Sequence, residues 1–238
     1  MMDMLFEYWK VYLYTDGGKM TGLAMTLWLL VLSLAIGFMA AVPLAVARAS
    51  SNRWLATPVR LYTYLFRGTP LYVQLLLIYS GVYGLATVRD IDVLNQFFRN
   101  GFNCTILAFA LNTCAYTTEI FAGAIASTAY GEVEAARAYG MSRWKLYLRV
   151  ILPSALRRAL PNYGNEVILM LHATSVAFVA TVPDLLKVAR DVNAATYRSF
   201  EAFGLAAALY LVISLAVVHL FKKAEYKWLA FLRPTEKK

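Results

Sequence analysis

One run of this chain places polar chemistry in an apolar setting: Leu111-Asn112-Thr113-Cys114-Ala115-Tyr116-Thr117-Thr118-Glu119-Ile120-Phe121-Ala122-Gly123. Asn112, Tyr116, Glu119 and Gly123 recur at helical spacing, so on a helix they share one face. A carboxylate among apolar residues is costly unless it faces protein or water, which makes Glu119 a candidate contact for a polar or cationic solute. Two other readings stay open: Glu119 pairs with a base from another segment, such as Arg67, or it lies near enough to a membrane surface to be hydrated. A second polar set is Pro161-Asn162-Tyr163-Gly164-Asn165-Glu166, followed by His172-Ala173-Thr174-Ser175. A histidine in such a place is more often a packing residue than a ligand. Asn112, Tyr116, Glu119, His172, Thr174 and Ser175 form the candidate solute path.

A third stretch reads Gly131-Glu132-Val133-Glu134-Ala135-Ala136-Arg137-Ala138-Tyr139-Gly140 and continues to Val150-Ile151-Leu152-Pro153. Residues 132–139 are good helix formers, and the acids in the first turn suit the helix dipole. Gly140 can take the left-handed conformation that caps a helix. A second amphipathic stretch then leads to Pro153, which is expected to stop or bend it. A short helix, a turn and a second helix follow from these residues, either as an interfacial hairpin or as a docking element. A fourth stretch, Arg67-Gly68-Thr69-Pro70-Leu71-Tyr72-Val73-Gln74-Leu75, reads as a turn and helix start, with Arg67 free to snorkel toward an interface.

Some chemistry is absent. A nucleotide-hydrolysing loop needs G-x-x-x-x-G-K-[ST], and the Gly18-Lys19 pair is followed by Met20 with no upstream glycine in place. No HExxH, zinc-ligand spacing or Ser/His/Asp spacing occurs, so no catalytic residue and no metal ligand is assigned. Cys104 and Cys114 are ten residues apart in one apolar run, about 15 Å along a helix, and read as small packing residues.

The elements that position these residues follow from the distribution of charge. Of 238 residues, 60% are hydrophobic, against the 45–50% usual for soluble domains. The excess lies in stretches without Asp, Glu, Lys or Arg: 20–47, 68–88, 100–118, 167–183 and 202–221. Crossing a bilayer takes about 20 helical residues. An all-α integral membrane protein of about five transmembrane helices is expected, with spans near 20–47, 62–88, 101–127, 164–183 and 202–221. The fourth is short and polar, as suits a span shielded by other helices. The loop over about 130–158 lies between spans three and four, and the chain reads as one domain.

Net charge is +9, and no nucleic-acid-binding motif accompanies it. Basic residues instead favour alternate loops. One set, which includes the 137–158 loop and a tail of Lys222, Lys223, Lys227, Arg233, Lys237 and Lys238, holds fifteen of the 23 bases against seven in the other. The richer set is expected on the cytoplasmic side, with the N-terminus outside and the C-terminus inside. Residues 1–19 carry Asp3, Glu7, Lys10, Asp16 and Lys19 and do not read as a cleavable signal peptide. Their aromatics Phe6, Tyr8, Trp9, Tyr12 and Tyr14 read as an interfacial belt or short helix on the outer face.

The 134–153 stretch resembles the EAA loop of the membrane subunits of ATP-binding-cassette (ABC) importers, E-A-A-x3-G-x9-I-x-L-P. Glu134, Ala135, Ala136, Gly140, Leu152 and Pro153 fall in place, with Val150 for isoleucine. The Arg67-Gly68-Thr69-Pro70 segment is similar to that of the polar amino-acid subfamily, and the likeness extends over nearly the whole chain. The resemblance implies a type I importer permease fold. It also implies coupling to a separate ATPase through Glu134, Ala135, Ala136, Gly140 and Pro153. The implied solutes are histidine, lysine, arginine and ornithine. ATP and magnesium would sit on the ATPase, with no cofactor on this chain. Implied partners are a homologous permease subunit in a heterodimer, two ATPase subunits, a periplasmic amino-acid-binding protein and membrane lipid, in a bacterial inner membrane. Similar permeases carry lysine where His172 stands, and a mostly neutral imidazole would suit cationic solutes. Rival readings are a permease for glutamine, glutamate or opines, an ion-coupled secondary transporter using Glu119 as a relay, and a non-transporting scaffold.

Overall fold

The computed structural model describes residues 2–229, with side chains from residue 6 onward. The tail bases Arg233, Lys237 and Lys238 lie outside the described residues, as does the Asp3 side chain. Every regular element among the described residues is helical, and the only ladder contacts are isolated bridges, Thr15 with Met20 and Gly22 with Asp184.

In chain order, α1 (Met2–Leu13) is followed by α2 (Gly22–Arg48), α3 (Arg53–Gly68) and α4 (Leu71–Leu76), which runs on as a π turn to Val82. Two short helices, α5 (Ala86–Asp90) and α6 (Asp92–Phe98), lead to the long α7 (Gly101–Ala126). Next come α8 (Tyr130–Ala138), α9 (Arg143–Leu146), a π turn over Tyr147–Ile151 and α10 (Leu152–Ala173). A 3-10 segment, Thr174–Ala180, then leads to α11 (Leu185–Thr196) and α12 (Ser199–Trp228).

α7 is the hub. Most of its residues are buried, on all sides rather than along one stripe, because α2, α3, α4 and α10 surround it. The approach of α2 is set by a glycine: a Cβ at Gly37 would stand 2.5 Å from the Thr113 side chain and 3.2 Å from the Ala110 carbonyl. Small residues at such contacts let backbones close together where lipid supplies no hydrophobic drive. One apolar cluster, with Leu29, Leu75, Phe109 and Leu171, fills one end of the bundle. Another, with Ala45, Phe121, Ile125, Leu146 and Ile151, fills the end nearer α8. A third joins α1, α11 and α12; of the two readings of residues 1–19 the short helix is formed, as α1, and its Tyr12 is buried with its hydroxyl donating to the Ala202 carbonyl at 3.0 Å. The fully buried Asp184 caps α11 by accepting from the Leu186 and Lys187 amides.

The long helices α2 and α12, of 27 and 30 residues, are each apolar enough to cross a membrane, and α12 is almost unburied. Three expectations shift. The stretch over 62–88 is not one helix: α3 begins at Arg53, and the helix breaks at Thr69, which is extended (φ −118, ψ 144) because Pro70 disfavours the helical conformation before it. The stretch over 164–183 is likewise composite: α10 begins well upstream and gives way to the tighter 3-10 turn at Thr174. Pro153 does not stop its helix. It sits in the first turn of α10, where a missing N–H costs little, directly after the π turn.

Candidate functional site

The break between α3 and α4 needs polar company. Pro70 leaves carbonyls without their helical donors, and inside a membrane such groups must find partners within the protein. Gln74 Nε2 donates to the Phe66 carbonyl at 2.7 Å and to the Thr69 carbonyl at 3.0 Å. Asn112 Nδ2, from α7, donates to the same Phe66 carbonyl at 3.2 Å and to Gln74 Oε1 at 3.0 Å. Asn112 therefore fastens the broken helix to the hub. Irregular backbone inside a membrane protein belongs beside a cavity, and one is there. A space of about 400 Å³ is lined by Arg67–Leu71 at the break, by Asn112 and Tyr116 of α7, and by Glu166, Leu169, Met170 and Ala173 of α10.

Opposite charges face this cavity. The Arg67 guanidinium lies 5.3 Å above the Tyr116 ring, a cation–π contact. Glu166 is 5% exposed, and its carboxylate accepts from the Thr113 hydroxyl at 3.0 Å. Among the described residues no base comes within ion-pair distance of Glu166. A buried carboxylate without an ion-pair contact, on the wall of an open cavity, is suited to receive a cation from a ligand.

Glu119 is differently placed. It accepts from Arg48 Nε at 2.8 Å and from the Thr63 hydroxyl at 2.6 Å, tying together α2, α3 and α7. Of the readings open in sequence, the structural ion pair is realised, with Arg48 rather than Arg67 as the base. A second space of about 390 Å³ lies here, lined by Arg48, Arg60, Thr63, Tyr64 and Glu119. Arg67 and Gly68 line both spaces and so stand in the wall between them.

The six path residues are thus not assembled together. Asn112 and Tyr116 line the cavity with Arg67 and Glu166. His172 faces α12, its Nε2 3.1 Å from Ser214 Oγ, in a groove shared with Ser175, Phe203 and Tyr210. Ser175 donates to the His172 carbonyl, and the fully buried Thr174 donates to the Leu171 carbonyl. Glu166 itself was legible: it is the lone acid between Glu134 and Asp184.

The 130–158 segment forms a surface. Gly140 has φ +72, the left-handed cap expected of it, and the Met141 amide returns to the Ala136 carbonyl at 3.2 Å. Ala136 is buried against the second cluster, while Glu134, Ala135, Arg137 and Tyr139 point outward. Pro153 is half-buried at the start of α10. A residue that sequence did not single out, Arg158, anchors this surface. It donates to Ser154 Oγ at 2.6 Å, Thr128 Oγ1 at 2.8 Å and the Ala124 carbonyl at 3.3 Å, while Ser154 donates to Glu132. The short helix is therefore braced on the end of α7 rather than hung from a loose loop.

Residues 33–229 match the family described as the binding-protein-dependent transport system inner membrane component. The chain is 62% identical over 235 residues to the histidine/lysine/arginine/ornithine transport system permease protein HisM of Escherichia coli (strain K12), covering 99% of each. Among solved structures it is similar to an amino acid ABC transporter crystallised with histidines, with a TM-score of 0.74, 34% identity, and coverage of 85% of this chain and 90% of that one. The MetNI methionine ABC transporter in its inward-facing conformation shares the fold at 19% identity, with a TM-score of 0.65 and coverage of 94% and 97%. The chain therefore belongs to the family of binding-protein-dependent transport system inner membrane components.

Proposed function

We propose that this chain is a transmembrane subunit of an ABC importer for polar, cationic amino acids, with histidine, lysine, arginine and ornithine as solutes. The observation that carries an amino acid as the solute is the pairing of Arg67 and Glu166 on one cavity. A free amino acid is a zwitterion, and a cationic one bears a second positive charge. Arg67 suits the α-carboxylate and Glu166, which has no ion-pair contact, suits a cation, each as a charge-assisted contact. The 62% identity to a permease of the stated solutes supports the same choice.

The proposed path holds Asn112 and Tyr116 from the original set, joined by Arg67 and Glu166. Glu119, His172, Thr174 and Ser175 stand outside it in this conformation. Five spans are proposed, made by α2, by α3 with α4, by α7, by α10 with its 3-10 extension, and by α12. The N-terminus is periplasmic and the C-terminus cytoplasmic, by the basic-residue asymmetry. Glu134, Ala135, Ala136, Gly140 and Pro153 belong to the coupling surface for a separate ATPase, which carries ATP and magnesium. A second permease subunit completes the pore, and a periplasmic binding protein delivers the solute. ATP-driven closure of the ATPase pair moves α8, and the helices around the cavity open it alternately to either side.

The test is ATP hydrolysis by the reconstituted complex with its binding protein, with and without lysine, arginine, histidine or glutamine. Stimulation by the cationic amino acids and histidine, lost in Glu134→Lys while assembly persists, is the expected result. Stimulation by glutamine alone overturns the solute assignment, and hydrolysis indifferent to any solute overturns the coupling.

A further inference from the structure

A groove unconnected with the solute cavity lies between the last third of α2 and the π-turn segment. It measures about 420 Å³, and Val42, Val46, Tyr147 and Leu152 give it apolar walls. Arg143 and Trp144 share its lining, and Trp144 is 73% exposed. Its size suits a bound small molecule rather than a water cluster. The segment that supplies Arg143 and Trp144 carries charge of one sign. Between Glu134 and Glu166 the chain has no acid and six bases, among them Arg143, Lys145 and Arg149. Among the described residues no carboxylate comes within ion-pair distance of Arg143.

We infer that this groove is a site for an anionic phospholipid, with one acyl chain along the apolar walls and the phosphate on Arg143. Three features support that occupant over a protein segment. α2 ends at Arg48 beside the groove, so the groove lies at the depth where the apolar helix gives way to charge. Exposed tryptophan with arginine at that depth is the side-chain pair that sits at headgroup level. An unpaired guanidinium beside an apolar slot is complementary to a phosphate carrying a hydrocarbon chain, and basic pockets between helices on the cytoplasmic side bind such headgroups. A bound lipid here would brace α2 against the helix that leads from α8, the segment proposed to move with the ATPase.

The test is native mass spectrometry of the complete transporter complex, titrated with phosphatidylglycerol or with phosphatidylcholine of the same acyl chains. Phosphatidylglycerol should be retained about fivefold more tightly, the worth of one basic residue at an anionic surface. Arg143→Gln should abolish that preference, Leu148→Trp, at a residue that also lines the groove, should fill it and weaken both lipids, and inorganic phosphate should not compete. Equal retention of the two lipids by the unmodified complex overturns the inference. So does an equal loss in Lys145→Gln, which removes a base outside the groove lining and would mark diffuse surface attraction. Displacement by inorganic phosphate would also overturn it, by showing that the apolar walls contribute nothing.

Discussion

Glu119 and Glu166 are two carboxylates in the same helical bundle, and their surroundings separate them. Glu119 holds Arg48 at 2.8 Å and the Thr63 hydroxyl at 2.6 Å, so its Oε1 is engaged by groups from two other helices. Glu166 has the Thr113 hydroxyl at 3.0 Å and, beyond it, a cavity. Position in an apolar run does not distinguish them, since both are isolated acids. An ion-paired base, present at Glu119 and lacking at Glu166, does. An acid whose charge is already answered within the fold serves as a strut, and an acid whose charge is unanswered is available to a ligand.

The largest expected effect comes from removing the unanswered charge. Glu166→Gln keeps the shape and can still accept from Thr113, so the complex should assemble with unchanged or slightly raised thermal stability. Lysine uptake into proteoliposomes should fall by about two orders of magnitude, in line with the 2–5 kcal/mol lost when one partner of a buried charge pair is truncated. Undiminished uptake would place the cation elsewhere and erase the distinction between the two acids.

Glu119→Gln should have the opposite profile. It leaves Arg48 without its counter-charge in a site where both side chains are about one-fifth exposed. The expected cost is about 2 kcal/mol, less than for a fully buried pair, read as a lower melting temperature of the purified complex. The double change Arg48→Met with Glu119→Met should recover most of that loss, because an apolar pair replaces a salt bridge without an orphan. A stable Glu119→Gln complex that has lost lysine uptake would return Glu119 to the solute path.

The two halves of the molecule differ in how much their sequence discloses. The 130–158 segment is local: Gly140 takes the left-handed cap (φ +72) that its place after a helix-forming run requires, and Ala136 turns inward while Glu134 stays out. Everything needed for that reading lies within about two helical turns. The cavity is assembled from residues such as Arg67, Asn112 and Glu166, whose proximity depends on tertiary packing. Helical spacing put Glu119 on the face of Asn112 and Tyr116, yet the helices packed against α7 decide which of them meets a cavity and which meets Arg48. The break at Thr69 was half legible, as a turn signal. That it falls inside a helical column, with Asn112 and Gln74 taking up the freed carbonyls, depends on Asn112, 38 positions along the chain from Gln74. His172 shows the same limit, since its partner Ser214 comes from α12.

The smallest expected effect concerns Arg67, which stands in the wall between the two acids and lines both of their spaces. Its position rests on Tyr116: the guanidinium lies 5.3 Å over the ring, and the Tyr116 hydroxyl reaches the Arg67 carbonyl at only 3.4 Å. The ring face should therefore matter more than the hydroxyl. Tyr116→Phe keeps the π surface and should leave lysine uptake within about twofold of the unmodified complex. Tyr116→Leu removes it and frees Arg67 to swing toward Glu119, at a cost of about 1 kcal/mol, a several-fold rise in the lysine concentration for half-maximal uptake. If the α-carboxylate is what Arg67 receives, that rise should be shared by histidine and lysine alike, because both present the same carboxylate. A rise confined to the more strongly cationic solute would mean instead that Arg67, once released, competes with the solute's positive end for Glu166.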